Sequence, residues 1–322
     1  MAEMTIVQAV NAALAQEMAR DKRVIVLGED VGKDGGVFRA TEGLLAKFGT
    51  ARVFDTPLSE SGIVGASIGL AAAGMVPVAE IQFEGFIYPA LDQIISHAGK
   101  LRNRSRGKYS LPMVVRAPYG GGIHAPEHHS EAPEAYFAHT PGIKVVIPST
   151  PYDAKGLLAS AIRDPDPVVF FEPKRIYRSV KQEVPAKDYT VPLGKAQLAQ
   201  SGSEVTVISW GAMVRECEAA IKTSGVSCDL VDLRTLTPLD METIAKSVEN
   251  TGRVVIVHEA PKTAGFGAEV AARIAEDEIL ELEAPIVRVA GWDVPMPLPK
   301  LEKAYLPGSE RIAKAIKKVA EF

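Results

Sequence analysis

Ala51–Phe83, "ARVFDTPLSESGIVGASIGLAAAGMVPVAEIQF", decides the fold. "ARVFDTP" reads as a strand, Ser61–Gly74 as a helix of small apolar residues, and "VPVAEIQF" as a second strand. Strand, helix and strand in that order form a parallel unit, because parallel strands need a crossover. No charged residue stands between Glu60 and Glu80. Such a helix is expected to pack inside the protein. Glu60 nevertheless sits at its entrance, and a buried carboxylate costs several kcal/mol unless it is paired or protonated. A group for Glu60 to meet is therefore expected.

Working outward, "VIVLGED" (Val24–Asp30), "LPMVVRAP", "KVVIPST" and "PVVFFEP" are further strands. Thr5–Arg20, Tyr88–Arg104 and Tyr152–Arg163 fit helices. Continuous apolar strands separated by helices imply a mostly parallel sheet covered on both faces. The pattern lapses from Lys174 to Gly202, which is rich in charge and proline and reads as a linker. It then restarts with "EVTVISWG", "CDLVDLRTL", "RVVIVHEA" and "PIVRVAG". Helices fit Met213–Ser224, Asp240–Asn250, Gly267–Leu282 and Glu310–Glu321, with Asp240 as an N-cap. The reading is two α/β domains, residues 1–185 and 186–322, each a mostly parallel sheet flanked by helices, with the linker at about 174–202.

The composition is that of an ordinary globular chain: 322 residues, 47% hydrophobic and 24% charged. The net charge of −4 argues against general binding to nucleic-acid backbones. No apolar run is long enough for a membrane span, and "MAEMTIVQAV" lacks the features of a signal peptide. Cys217 and Cys228 are too few for a disulfide framework or a metal cluster and read as core thiols, so a cytoplasmic location is expected.

Open α/β sheets bind ligands outside the carboxyl ends of their strands. "GED" (Gly28–Asp30), "LSE" (Leu58–Glu60) and "QFEGFIYP" (Gln82–Pro89) all fall at such ends. Singly each reads as a surface turn; three converging at one sheet edge favour a site. The longest irregular stretch, "APYGGGIHAPEHHSEAPEA" (Ala117–Ala135), carries His124, His128 and His129. Solvated surface histidines and acid–base groups stand level as readings. Zinc ranks behind, for want of H-E-x-x-H or suitably placed cysteines. Gly265 and Gly267 in "TAGFGAEV" lack the third glycine of a dinucleotide fingerprint and read as a helix entry. G-x-x-x-x-G-K-[ST] does not occur.

Taken together, "LGEDVGKDGGVF", "DTPLSESGIVGASIGLA", "AEIQFEGFIYPALDQI", "HHSEAPEAYFAHTPGIKVVIPSTPYDAKGLL" and "AIRDPDPVVFFEPKRIYR" resemble one family. It is the beta subunit of the thiamine-diphosphate-dependent decarboxylating component of 2-oxo-acid dehydrogenase complexes. The likeness extends through "VDLRTLTPLD" and "GRVVIVHEAP" in the second domain. The family fold implied is a pyrimidine-binding domain followed by a transketolase C-terminal-like domain.

The resemblance implies that Glu60 hydrogen-bonds a ring nitrogen of the cofactor's aminopyrimidine and so helps the cofactor lose its thiazolium proton. Burial disfavours a charged carboxyl and makes its proton easy to share. By the same matching, Glu29 supports the cofactor pocket, Leu58 and Ser59 line it with Glu60, and Gln82 and Phe86 pack against the pyrimidine. Phe86, Ile87, Tyr88 and Pro89 edge the substrate side. His129 corresponds to the histidine of proton transfer and of acyl transfer to lipoyl, with His128 as second candidate. Met113, Ala161, Ile162, Asp164 and Asp166 match a monovalent-cation site, potassium by the family's pattern, although Asp166 stands where Asn is common.

The family's G-D-G motif for the magnesium-held diphosphate is missing here. The resemblance therefore implies that an alpha subunit holds the magnesium in an alpha-2 beta-2 tetramer, which docks on a dihydrolipoyl acyltransferase core. "HSEAPEAYFAHTPGIKVV" is closer to branched-chain members, whereas "RAPYGGGIHAPE" and "STPYDAKGLL" equally fit bacterial pyruvate members; branched-chain 2-oxo acids are slightly favoured. A single-chain transketolase-like or deoxyxylulose-phosphate-synthase-like fragment is disfavoured by the chain length and the missing G-D-G. A non-catalytic scaffold bridging the alpha chain and the core is disfavoured by the presence of Glu60 and His129.

Overall fold

A computed structural model describes residues 1–322. The chain divides into two compact units. The first comprises Met1–Tyr119 and Tyr136–Leu193; the second comprises Gly120–Ala135 and Gly194–Phe322. The histidine-bearing loop thus belongs with the C-terminal half of the sequence.

In the first unit parallel strands run in the order Lys144–Val146, Val168–Pro173, Val114–Tyr119, Val76–Glu80, Val24–Gly28 and Val53–Asp55. After Val24–Gly28 the chain steps outward to Val53–Asp55, then crosses back to Val76–Glu80. The order reverses there, and the crevice at such a point is where open α/β sheets bind ligands. Gly28 and Glu80 are partners at that end of the sheet.

The helices start for local reasons. Thr5 caps Ile6–Arg20 in a capping box with Gln8. Thr150 caps Pro151–Arg163, whose first residue is a proline suited to that position. The Tyr88–Arg104 segment expected as one helix is instead a short 3₁₀ turn at Tyr88–Ala90, a π-helix at Gln93–Ala98 and an α-turn at Leu101–Arg104. Gly99 donates to the Ile94 carbonyl, five residues back, and its carbonyl lies so close to Gly142 that a side chain there would collide.

The helix at Glu60–Ala72 begins at Glu60 itself. Ile63, Val64, Ser67 and Ala71 face the core, but Gly62, Ala66, Gly69, Ala72 and Ala73 are exposed. The expectation of a fully internal helix fails for this chain alone, because only one face packs on its own sheet.

The second unit has parallel strands Val287–Gly291, Val254–Pro261, Val205–Ser209 and Cys228–Asp232 in spatial order. Gln197–Gln200 adds antiparallel to the last. Within 174–202 lies another strand, Lys181–Val184, which pairs antiparallel with Ala2–Thr5 in the first unit. Asp240 caps Met241–Thr251 by accepting from the Thr243 amide at 3.4 Å. Cys217 and Cys228 are free and buried. No helix is long and apolar enough to cross a membrane.

Candidate active site

The first unit gathers Glu29, Glu60 and Gln82 around the reversal of strand order. Glu29 follows the Val24–Gly28 strand and is buried. Glu60 opens its helix with 9% of its surface exposed, and no group of the chain bonds its carboxyl. Burial first, then the Glu60 and Asp30 charges, push the Glu29 carboxyl above its ordinary value. Gln82 crosses the crevice, donating from Nε2 to Asp30 at 2.8 Å and to the Glu29 carbonyl at 3.5 Å. Asp55, at the end of the neighbouring strand, accepts from the Gly32 and Lys33 amides at 2.6 and 3.2 Å and fixes the loop after Glu29.

Leu58 and Ser59 precede Glu60 and are exposed, Leu58 at 77%. Phe86 packs edge-on against Phe83, with centroids 6.0 Å apart, and Phe83 against Phe38 at 5.3 Å. Ile87 is fully buried, whereas Tyr88 and Pro89 lie on the surface. The segment therefore offers Phe86, Tyr88 and Pro89 outward and spends Ile87 on the core.

Beneath this edge lies a charged cluster the sequence reading missed. Arg116 is buried and grips Glu172 with two bonds, at 2.6 and 2.9 Å, and Glu80 at 2.8 Å. Tyr177 donates its hydroxyl to Glu172, and Lys174 pairs with Glu84, both in the interior. Burial raises the Glu80 carboxyl despite Arg116. Removing Arg116 would strand two buried carboxylates, a loss of about 3–5 kcal/mol. The signal was present: Glu80, Arg116 and Glu172 interrupt otherwise apolar strand runs with opposite charges.

In the second unit the histidine loop is closed at its root, where the Gly120 amide donates to the Glu131 carbonyl at 2.8 Å. His129 Nδ1 lies 2.7 Å from the Glu127 carbonyl oxygen. A carbonyl only accepts, so Nδ1 carries the hydrogen, and in the neutral ring Nε2 holds the lone pair. His128 is exposed, and both it and His124 adopt positive φ, at 66° and 56°. At the loop's exit Trp210 donates to Glu134 at 3.3 Å. Burial pushes the Glu134 carboxyl up to about 8, with Glu259 adding to the rise against its hydrogen bonds.

Trp210 also stacks on His258, with centroids 5.4 Å apart and planes 10° from parallel. A Cβ on either Gly265 or Gly267 would come within 2.6 Å of this ring, and one on Gly265 would also lie 2.5 Å from the Pro261 carbonyl oxygen. The G-x-G serves packing as well as helix entry. Burial, with Arg288 adding, lowers His258 to about 4, so it is neutral near pH 7.

The candidate cation residues lie together in the first unit, but their carboxylates are engaged. Asp164 receives Lys144 at 2.6 Å, and Asp166 receives Arg102 at 2.5 Å. The Met113 and Ala161 carbonyls accept from the Val168 and Asp164 amides. A cation here would rest on second lone pairs of carbonyls. No group of three or more His, Cys, Asp or Glu side chains is placed to hold a metal ion.

The first unit thus presents a parallel sheet with carboxylates at its strand reversal, and the second is a further α/β unit. Residues 2–180 match the model of the transketolase pyrimidine binding domain, and residues 194–312 that of the transketolase C-terminal domain. A solved split-gene transketolase, an inactive beta4 tetramer, shares the fold, with a TM-score of 0.80 over 99% of this chain and 98% of that one, at 23% identity. The chain is 52% identical to the pyruvate dehydrogenase E1 component subunit beta of Acholeplasma laidlawii, over 100% of this chain and 99% of that protein. It is 51% identical to the 2-oxoisovalerate dehydrogenase subunit beta of Bacillus subtilis (strain 168), over the full length of both, and 52% identical to its mitochondrial counterpart in Dictyostelium discoideum, over 99% of this chain and 87% of that protein. The chain belongs to the E1 beta subunits of the 2-oxo-acid dehydrogenases, a family that implies thiamine diphosphate as cofactor. Glu60 fits that cofactor's aminopyrimidine end, since it is a buried carboxyl that no group of the chain bonds. For magnesium the chain offers no cluster of three or more carboxylate, histidine or cysteine side chains.

Proposed function

We propose that the chain supplies the aminopyrimidine half of an active site completed by an alpha subunit in an alpha-2 beta-2 tetramer. The observation that carries the reading is Glu60: buried, at the strand reversal, with no hydrogen bond from its own chain. Bound thiamine diphosphate supplies a carbon nucleophile toward the carbonyl of a 2-oxo acid. Glu60 is placed to hydrogen-bond a pyrimidine ring nitrogen, and its charge helps burial hold the neighbouring Glu29 carboxyl above its ordinary value. Leu58, Ser59, Gln82 and Phe86 shape the cofactor pocket; Phe86, Tyr88 and Pro89 edge the substrate side, with Ile87 bracing them from the core.

His129 is the proton-transfer group, because its ring is held in one tautomer while His128 is exposed. The acyl group passes to the lipoyl group of a dihydrolipoyl acyltransferase core. Magnesium falls to the alpha subunit. A potassium ion, where present, rests on the carbonyls around Met113, Ala161 and Ile162. The charge-free exposed face at Gly62, Ala66, Gly69 and Ala73 supports coverage by another chain.

The substrate reading keeps a slight preference for branched-chain 2-oxo acids. Pyruvate is the second reading, since relatives named for pyruvate and for 2-oxoisovalerate are 52% and 51% identical. Steady-state kinetics of the reconstituted alpha–beta pair on 3-methyl-2-oxobutanoate and pyruvate test it. A higher kcat/KM on the branched acid is expected; turnover of neither would overturn the reading.

A further inference from the structure

Two carboxylates of the C-terminal half reach into the histidine loop. Glu302, in the short helix Glu302–Tyr305, accepts from the Gly122 amide with Oε1 at 2.7 Å and from the His124 amide with Oε2 at 3.2 Å. Glu259, near the end of the Val254–Pro261 strand, accepts from the Gly121 amide at 2.9 Å. Both are buried, at 2% and 3% exposure. Such placement is costly for a carboxylate unless donors are fixed around it, and here the loop's backbone supplies them.

The approach is tight. A Cβ on Gly120, whose φ is +84°, would lie 2.7 Å from the Glu259 carboxylate, and one on Gly121 would lie 2.6 Å from Met296 Cε. The run of glycines is thus needed for the backbone to reach its acceptors. Farther along the same loop, His124 and His128 are held in the left-handed region. Non-glycine residues persist there only where their surroundings over-determine the backbone.

We propose that Glu302, assisted by Glu259, is a positioning residue that holds the loop in the shape that presents His129. The proposal deepens the proposed function and rests on its role for His129. Glu302→Ala leaves Gly122 and His124 without their acceptor, and the loop relaxes from its strained turns. A displacement of about 1 Å at a reacting group is enough to cost up to about a hundredfold in rate.

The test uses the reconstituted alpha–beta complex. In Glu302→Ala, hydrogen exchange of the amides at 121–124 should rise at least about tenfold. Its kcat should fall about tenfold or more with KM for the 2-oxo acid near wild type, and its melting temperature should fall because two amides lose a buried acceptor. Glu302→Gln, which keeps one acceptor oxygen, should recover part of both and serves alone if the alanine variant does not fold. The double variant Glu302→Ala/His129→Ala should be no slower than His129→Ala alone, because Glu302 acts through His129. Unchanged exchange at 121–124, or losses that multiply in the double variant, would overturn the proposal. If His129→Ala is itself silent, the role of His129 fails and presentation of that residue fails with it, while the exchange measurement separately decides whether Glu302 holds the loop.

Discussion

Glu60 and His129 lie in regions built on opposite plans. Glu60 stands on a helix packed against a parallel sheet, yet its carboxyl receives no bond from the chain. His129 lies on a loop without regular structure, yet its Nδ1 is bonded and the loop's amides are held by buried carboxylates. A rigid element can leave its functional group unsatisfied, because the scaffold keeps the group in place. A loop must be tied down before its functional group has a defined position. The first plan prepares for a ligand; the second prepares a side chain.

Changing Glu60 should have the largest effect. Glu60→Gln keeps size and hydrogen-bonding capacity but cannot share a proton as an acid. In the alpha–beta complex it should slow exchange of the cofactor's thiazolium proton by orders of magnitude. The free chain should melt no lower than wild type, since the substitution breaks no hydrogen bond from the chain to this side chain. Near-wild-type proton exchange would reduce Glu60 to a carboxylate that merely favours a helix N-terminus.

His129→Ala comes next. Turnover should fall by roughly a hundredfold, the scale of a lost acid–base group, with cofactor binding retained. His128→Ala should stay within a few-fold of wild type. The reverse ranking would move the assignment by one residue, and silence in both would make the loop a solvated surface segment.

The smallest effect concerns the loop's exit. Glu134 has an ordinary value of 4.5, raised to about 8 in the folded chain. The folded state therefore binds the extra proton between those values. The contribution to stability is complete below about pH 4.5 and is lost as pH rises through about 8. Glu134→Gln has no such dependence, so melts from pH 5 to pH 8 should show wild type losing ground to the variant. The slope is at most about 1.4 kcal/mol per pH unit. Parallel curves would show that Glu134 does not hold this proton.

The two plans are unequally legible in the sequence. The strands, their order along the chain and the carboxylates at their ends follow from apolar periodicity, so Glu60 stands out from the residue pattern, whereas Glu29 is singled out only by the family resemblance. The edge strand Gln197–Gln200 is exposed along its length and carries no such pattern. The π-helix at Gln93–Ala98 is followed by the close approach of Gly99 to Gly142, a long-range contact that no local rule encodes. The anchors are least visible of all: Glu259 and Glu302 accept from amides 138 and 180 residues away, and backbone donors leave no mark on residue type. His258 likewise explains Gly265 and Gly267 only once the ring is seen between them and Trp210.

By the proposed function this chain holds one half of a cofactor site and leaves the other to a partner. Calorimetry with thiamine diphosphate and magnesium tests it most directly, on the purified chain and on its mixture with the cognate alpha subunit. Weak or undetectable binding to the chain alone and tight, magnesium-dependent binding to the mixture are expected. Tight magnesium-dependent binding to the chain alone would contradict it.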